Sequence, residues 1–285
     1  MIPKSLRTKA EDPSCHIIVF LGGVDTGKTT LVWELAKELS KSYTVGVVDS
    51  DIGQSHLGPP TTVGWGIVLP DAEDWDEVQV RGIYFVGALS PQGHLLPTVV
   101  GTKLLCDDAR TFCDKVIVDT TGLIWGDVGR ILKSTKVDAL APDLVVGMQK
   151  GRELEPILNL WKGMNRPQVL KFQTPPEVRS KTWEMRYNYR EEQFRKYFQE
   201  AKLVQIRWRE VGIFNLSPER LAETGDRQKG RVVSLRDREG KDRALGAVEN
   251  VDPRGVLTVW TPLEEEVEVG GVVFGEVWLP EGALP

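Results

Sequence analysis

The stretch Gly22-Gly23-Val24-Asp25-Thr26-Gly27-Lys28-Thr29 limits what this chain can fold into more than any other. It fits the pattern G-x-x-x-x-G-K-[ST]. It follows an apolar run, His16–Gly23, and precedes a segment, Thr30–Ser40, in which Leu31, Leu35 and Leu39 recur at helical spacing. A glycine-rich turn between a strand and a helix lets successive backbone N–H groups wrap an anion, and the helix start adds partial positive charge. Gly22, Gly23, Val24, Asp25, Thr26 and Gly27 are therefore the expected cradle of a triphosphate, carried into the helix by Lys28, Thr29 and Thr30. Lys28 is expected to reach the β- and γ-phosphates and Thr29 to ligate Mg²⁺. The implied cofactors are ATP, or another NTP, and Mg²⁺.

The first strand needs partners. Tyr43–Asp49, Val116–Asp119 and Leu144–Met148 are further short β-rich runs, and Pro97–Phe112 reads as a helix. This alternation predicts the α/β class: a P-loop NTPase parallel sheet with helices on both faces. Thr61–Leu69 and Val78–Leu89 interrupt it and are expected to form a hairpin around the acidic loop Asp71–Glu77. After about Lys202 the pattern changes to short strand candidates, Leu203–Leu216, Arg231–Arg236, Arg243–Val251, Val256–Trp260 and Val272–Leu279, punctuated by turns. That predicts a small C-terminal all-β module. The expected division is a P-loop domain over 1–202, with a helical lid over 175–200, and a β-rich domain over 203–285.

Composition narrows the function. The chain has 285 residues and no apolar run near the ~20 residues of a membrane span. Its first residues lack an apolar signal core. Cys15, Cys106 and Cys113 are scattered, and His16, His56 and His94 do not cluster with them, so neither a disulfide framework nor a zinc site is expected. A cytoplasmic setting fits. The net charge of −5 argues against broad coating of nucleic acid, so any such contact has to come from a local basic segment.

The second strand ends in Asp49-Ser50-Asp51-Ile52-Gly53-Gln54. Ligands of an open parallel sheet sit beyond the carboxyl ends of its strands, and alternate strand residues point the same way. Asp49 is expected to hold Mg²⁺ through water, and Asp51 to accept or orient an acceptor's proton. Val116-Ile117-Val118-Asp119 leads into Thr120, Thr121 and Gly122, which offer hydroxyls and a close backbone, with Asp119 as a second acid near the metal. The stretch after Leu144–Met148 is Gln149-Lys150-Gly151-Arg152, so the N-K-x-D aspartate that reads guanine is missing. The segment RSKTWEMRYNYREEQFRKYF, 179–198, supplies the basic patch. If it is helical throughout, Arg179, Arg186 and Arg190 share one stripe and could close over a triphosphate. The interleaved Glu184, Glu191, Glu192 and Glu200 equally fit a solvated helix held by salt bridges.

These motifs together resemble the polynucleotide 5′-hydroxyl-kinase family, which includes the RNA kinase subunit of pre-mRNA cleavage factor and the nucleolar kinase of ribosomal RNA processing. The resemblance runs from about His16 to Glu200. It rests on GGVDTGKTT, DSDIGQS, FVGALSPQGH, DTTGLIWG, QKGRELEPIL and the RSK…RYNYREEQFRKYF lid. It implies transfer of the γ-phosphate of ATP to the 5′-hydroxyl of RNA or DNA. Lys28 and Thr29 would hold ATP–Mg²⁺, and Asp51 would activate the hydroxyl. Gln54 would lie near the acceptor, and Thr120, Thr121 and Gly122 would clasp the terminal nucleotide. Arg186, with Arg179 or Arg190, would serve as lid arginine. Leu123 stands where family clasps often carry Trp, with Trp125 two residues on. A regulatory GTPase or ATPase without a polynucleotide acceptor is the alternative, and a module that holds RNA and ATP without transfer is a third. The mixed charges of Arg207–Arg209 and Arg236–Arg243 suit a β module that braces the lid rather than one that stacks RNA bases.

Overall fold

The computed structural model describes residues 2–279 and 284, with only the backbone of Asp226, so the expected limits at residues 1 and 285 lie outside the described residues. After a short helix α1 (Lys4–Ala10), the runs rich in Val, Ile and Leu form β1 (Ile17–Gly22), β2 (Val45–Ser50), β5 (Lys115–Thr120), β6 (Leu144–Gln149) and β7 (Gln168–Gln173). These five strands pair in parallel, in the order β2-β5-β1-β6-β7. Every residue of β1, β2, β5 and β6 is buried, as expected for strands covered on both faces. The expected hairpin, β3 (Thr62–Val68) with β4 (Gln79–Phe85), extends the sheet antiparallel at the β2 edge.

The two faces have separate cores, and β1 shows why. Ile17, Val19 and Leu21 point one way, toward α3 (Leu95–Arg110), α4 (Gly126–Leu140) and the short α5 (Glu155–Leu158). Ile18 and Phe20 point the other way, toward α1 and α2 (Lys28–Leu39). This period-two split sandwiches the sheet between helices and leaves its carboxyl edge for chemistry.

The lid departs from the expected helix over its whole length. Helix α6 spans Trp183–Phe198 and starts at Thr182, whose hydroxyl accepts from the Met185 N–H. Arg179 therefore precedes the helix, and only Arg186 and Arg190 share a helical stripe. Beyond it, β8 (Lys202–Arg207), β9 (Gly212–Phe214), β10 (Arg231–Arg236), β11 (Asp242–Asp252), β12 (Val256–Thr261) and β13 (Gly271–Trp278) form a six-stranded sheet ordered β8-β12-β11-β10-β13-β9, with α7 (Pro218–Glu223) between β9 and β10. The expected single run Leu203–Leu216 is two strands on opposite edges, because the chain turns at Arg207–Glu210. Phe194 and Phe198, the two buried residues of α6, share a core with Phe85 of β4 and with Val232, Leu245 and Val273 of the second sheet. The second sheet thus does brace the lid.

Candidate functional site

The turn between β1 and α2 is shaped by two residues in the left-handed region, Asp25 at φ 53° and Gly27 at φ 82°. Gly27 needs no Cβ there, whereas Asp25 accepts the strain of a position that only Asn, Asp and His adopt with any frequency. Thr26 Oγ1 and Lys28 Nζ both donate to the Gly23 carbonyl, at 3.0 and 2.7 Å, which ties the loop into a ring. Lys28 is 7% exposed. Burial pulls its ammonium below the ordinary lysine range, Asp119, Asp51 and Asp25 pull it back up, and the nearby charge of Arg186 lowers it. One buried cation, three carboxylates and a guanidinium therefore already converge on the cradle.

Register explains the acids. Asp49 and Asp119 are paired neighbours in β2 and β5. Burial, first, holds both carboxyls above their usual range, Asp49 at about 8; the charge of Asp119 adds to this at Asp49, and that of Asp51 at both. Their tasks differ from the expectation. Asp49 turns into the loop after β2. Its Oδ2 accepts from the N–H groups of His56 and Leu57 at 2.6 and 3.3 Å, and its Oδ1 accepts from the Asp51 N–H at 3.0 Å. Asp119 instead accepts the Thr29 hydroxyl at 2.5 Å through Oδ2, while its buried Oδ1 has no hydrogen-bond partner among the described residues. A buried, unpartnered carboxylate oxygen beside a threonine hydroxyl is a donor set that suits a hard divalent cation. The residues fit Mg²⁺, then, but with Asp119 where Asp49 was expected.

A cavity of about 770 Å³ opens beyond these strand ends. It brings together Val24 to Thr30 of the cradle, Asp51 and Gln54 after β2, Thr121 and Gly122 after β5, and Arg179, Arg186 and Arg190 of the lid. Asp51 reaches it with one oxygen engaged, since Oδ1 accepts from the Gly53 and Gln54 N–H groups, both at 3.2 Å. Gly122 must be glycine because a Cβ there would meet the Val24 nitrogen at 2.7 Å, which packs the β5 loop directly against the cradle. Several expected residues do not line the cavity, Asp49 among them, turned into the loop after β2. Gly22 and Gly23 lie beneath it as backbone support. Thr120 is 1% exposed, and its hydroxyl donates to the Phe20 carbonyl at 2.6 Å. What holds Thr120 and Thr121 is a residue that the sequence reading missed: the fully buried Lys133 of α4 donates to Thr120 Oγ1 at 2.9 Å and to the Thr121 carbonyl.

The lid closes the cavity with a small set of polar contacts. Arg186 Nη2 donates to both Asp25 oxygens, at 2.7 and 2.6 Å, and the Lys181 N–H donates to the same carboxylate at 3.2 Å. Gln54 Nε2 donates to the Arg186 carbonyl at 3.2 Å, the Tyr189 hydroxyl donates to the Ser55 carbonyl at 2.8 Å, and Lys196 pairs with Asp76 at 2.7 Å. Arg186 Nε and Nη1 make no hydrogen bond among the described residues, and Gln54 Oε1 is buried without a partner. Arg190, one turn on, is lowered from the usual arginine range by burial and by the charge of Arg186. Two adjacent guanidiniums that repel each other on the wall of a phosphate cradle form a site for an anion. The side-chain use of Asp25 was also missed, because a P-loop motif specifies backbone at that position.

A family model described as mRNA cleavage and polyadenylation factor CLP1 P-loop matches residues 22–200. A polyribonucleotide 5′-hydroxyl-kinase of Pyrococcus abyssi is 33% identical over 233 residues, covering 81% of this chain and 63% of that protein. One of Methanocaldococcus jannaschii is 37% identical over 197 residues, covering 69% and 54%. One of Pyrococcus furiosus is 37% identical over 188 residues, covering 66% and 52%. The chain thus spans between about half and just under two thirds of these relatives' lengths. Among solved structures, Clp1p in its complex with a Pcf11p segment aligns with 96% of this chain and 77% of its own, at TM-score 0.74 and 10% identity, a likeness of fold.

Proposed function

Because the chain belongs to the CLP1 P-loop family, we propose that it is a polynucleotide 5′-hydroxyl kinase, transferring the γ-phosphate of ATP, or of another NTP, to the 5′-hydroxyl end of RNA or DNA. One observation carries the reading. Asp51, Lys28 and Arg186 line a single cavity, and each still has an atom to offer a ligand. A hydrolysing switch has no need of a carboxylate and a basic lid arranged around a second substrate. A transferase needs both.

Phosphoryl transfer asks for positioning and charge neutralisation more than for covalent chemistry. The N–H groups that begin α2 have no partner inside the helix and face the phosphates. Lys28 would exchange the Gly23 carbonyl for the β- and γ-phosphates. Thr29 and Asp119 would hold Mg²⁺, which supplies neutralisation of phosphate charge when bound. Asp51 accepts a hydrogen bond from the acceptor's 5′-hydroxyl through its outer oxygen and takes the proton as the new O–P bond forms and the bond from the γ-phosphorus to the β–γ bridging oxygen breaks, its electron pair leaving with the nucleoside diphosphate beside Lys28. Arg186 presents Nε and Nη1 to the transferring group, with Arg190 and Arg179 behind it. Gln54, Thr121 and Gly122 orient the terminal nucleotide, and Lys133 holds that loop from below. The work divides between a P-loop domain over 1–202 and a bracing domain over 203–285. No described helix is long and apolar enough to cross a membrane, and we place the reaction in the cytoplasm.

The test pairs γ-labelled ATP with a 5′-hydroxyl oligonucleotide and with its 5′-phosphorylated counterpart. Label transferred to the hydroxyl oligonucleotide alone is the expected result. Phosphate release that ignores the oligonucleotide would instead assign the chain to the hydrolysing class.

A further inference from the structure

A second cavity, of about 610 Å³, lies between the two sheets. Nothing in the mechanism above uses it. Its walls come from both parts of the chain: Tyr84 of β4 and His94 and Leu96 at the start of α3 on one side, Phe214 of β9, Arg231 and Arg236 of β10 on the other. A single turn separates it from the catalytic cavity. Pro91 lines the first cavity and His94 the second, and the His94 N–H donates to the Pro91 carbonyl at 2.8 Å. In a turn of this kind the end Cα atoms are less than ~7 Å apart. A strand rising at least ~3.4 Å per nucleotide crosses that distance in about two nucleotides.

The chemistry of the walls suits a single strand. Arg231 lies 5.3 and 5.0 Å from the ring centres of Phe274 and Trp278, and Arg236 lies 5.9 and 5.3 Å from those of Tyr84 and Phe214. Arg231 donates through Nε to the Gly275 carbonyl at 2.6 Å and through Nη1 to Gln228 at 2.7 Å, and among the described residues its Nη2 makes no hydrogen bond. Phe214 is 44% exposed and Leu96 75% exposed. Of the carboxylates nearby, Glu276 hydrogen-bonds His94 at 3.0 Å and Asp242 pairs with Arg236 at 2.8 Å. Guanidiniums held over aromatic rings combine a phosphate donor with a stacking surface, the pairing that single-stranded polynucleotides use. No stretch of sequence shows this platform, because its rings and cations come from β4, β9, β10 and β13 and meet only in the folded chain.

We infer that this inter-sheet cavity is a second subsite for the acceptor polynucleotide. It takes the backbone and bases a few nucleotides downstream of the 5′ end, with Arg231 as phosphate donor and Phe214 as stacking ring. The inference rests on the kinase reading. It makes the enzyme prefer acceptors with a single-stranded 5′ segment longer than two nucleotides.

The test compares a 5′-hydroxyl dinucleotide with a 5′-hydroxyl octanucleotide of the same 5′ sequence, at saturating ATP, in the wild type, Arg231→Gln and Phe214→Ala. Both variants are expected to raise KM for the octanucleotide, Arg231→Gln by about tenfold, and to leave kcat and the dinucleotide KM unchanged. Arg231→Gln should also lower the salt dependence of octanucleotide binding by about one phosphate contact. Equal effects on both acceptors, or none on either, would overturn the subsite. Phe214→Ala removes a ring that is 44% exposed, so it reads the site even if Arg231→Gln, on an interior strand, destabilises the sheet. If the wild type phosphorylates neither acceptor, the kinase reading fails. Binding of a 3′-labelled octanucleotide, followed by fluorescence anisotropy in the wild type and variants, then still decides the cavity. Unchanged binding there overturns the subsite and leaves the cavity to a protein segment.

Discussion

The cradle wall and the lid wall of the catalytic cavity are built on opposite principles. The cradle stands on β1, β2 and β5, in which every residue is buried, and its polar atoms are fixed from beneath by Thr26, the Thr29–Asp119 bond and Lys133. The lid has only Phe194 and Phe198 buried. Trp183 and Met185 are 73% and 55% exposed, and its catalytic end is attached by a handful of polar contacts. A wall that must keep phosphate geometry constant is set by dense packing, which resists displacement. A wall that, on the kinase reading, must admit and release two substrates is held by bonds that are individually weak and compete with water. The second sheet reconciles the two by burying the far end of the lid helix and leaving its near end to the ligand.

The sharpest way to break the contrast is Arg186→Ala. If the lid's contribution is charge delivered to the transferring phosphoryl group, turnover falls by ~10³–10⁵, as for other arginines that act in phosphoryl transfer, with little change in nucleotide affinity. The split between kcat and the ATP dissociation constant, from steady-state kinetics and nucleotide titration, checks it. A variant with full turnover would reduce the lid to a cover. Next is Phe198→Ala, at the braced end. Deleting a fully buried phenyl ring costs about 3–5 kcal/mol of folding stability. Because the ring sits in the core shared by α6, β4 and the second sheet, its loss should also raise KM for the acceptor. Urea unfolding measures the first effect, and initial rates at varied oligonucleotide concentration the second.

The same contrast explains what was legible in the sequence. The cradle, its strands and the hairpin could be read because burial imposes a pattern of runs and turns along the chain. The β strands after residue 202 could be read for the same reason, apart from the split at Arg207–Glu210, where the turn residues include no glycine or proline to mark it. Strand alternation points Asp49 and Asp51 the same way and so aims both at the cavity. Only the backbone path of 51–57 turns Asp49 into a loop anchor and leaves Asp119 beside Thr29. Arg179 was placed on a helix by periodicity alone, while the Thr182 cap that starts the helix three residues later is a weak local signal. Lys133 and the Asp25–Arg186 pair were out of reach, because each joins segments 12 or more residues apart through a single side chain.

Asp25→Asn sharpens the comparison most finely, since Asp25 is where the two walls meet. Asn tolerates the φ of 53° and keeps an acceptor for the Lys181 N–H, so the cradle backbone is undisturbed. What it loses is the charge that holds Arg186 beside Lys28, two cations that otherwise repel. The Asp25–Arg186 pair is 13% and 21% exposed, so its contribution exceeds that of a fully solvated ion pair. We expect kcat to fall by about 10- to 100-fold, less than for Arg186→Ala because the arginine is still present and reaches the phosphoryl group part of the time. Nucleotide affinity should hold or rise slightly, because a negative charge has left the edge of a polyanion site. Trypsin cleavage within 179–186 supplies a readout that does not depend on catalysis, and it should quicken as the near end of the lid detaches. Unchanged kcat with unchanged cleavage would mean that the lid is positioned by its other contacts, at Gln54, Tyr189 and Lys196, and that the acid in the cradle serves the loop's own conformation.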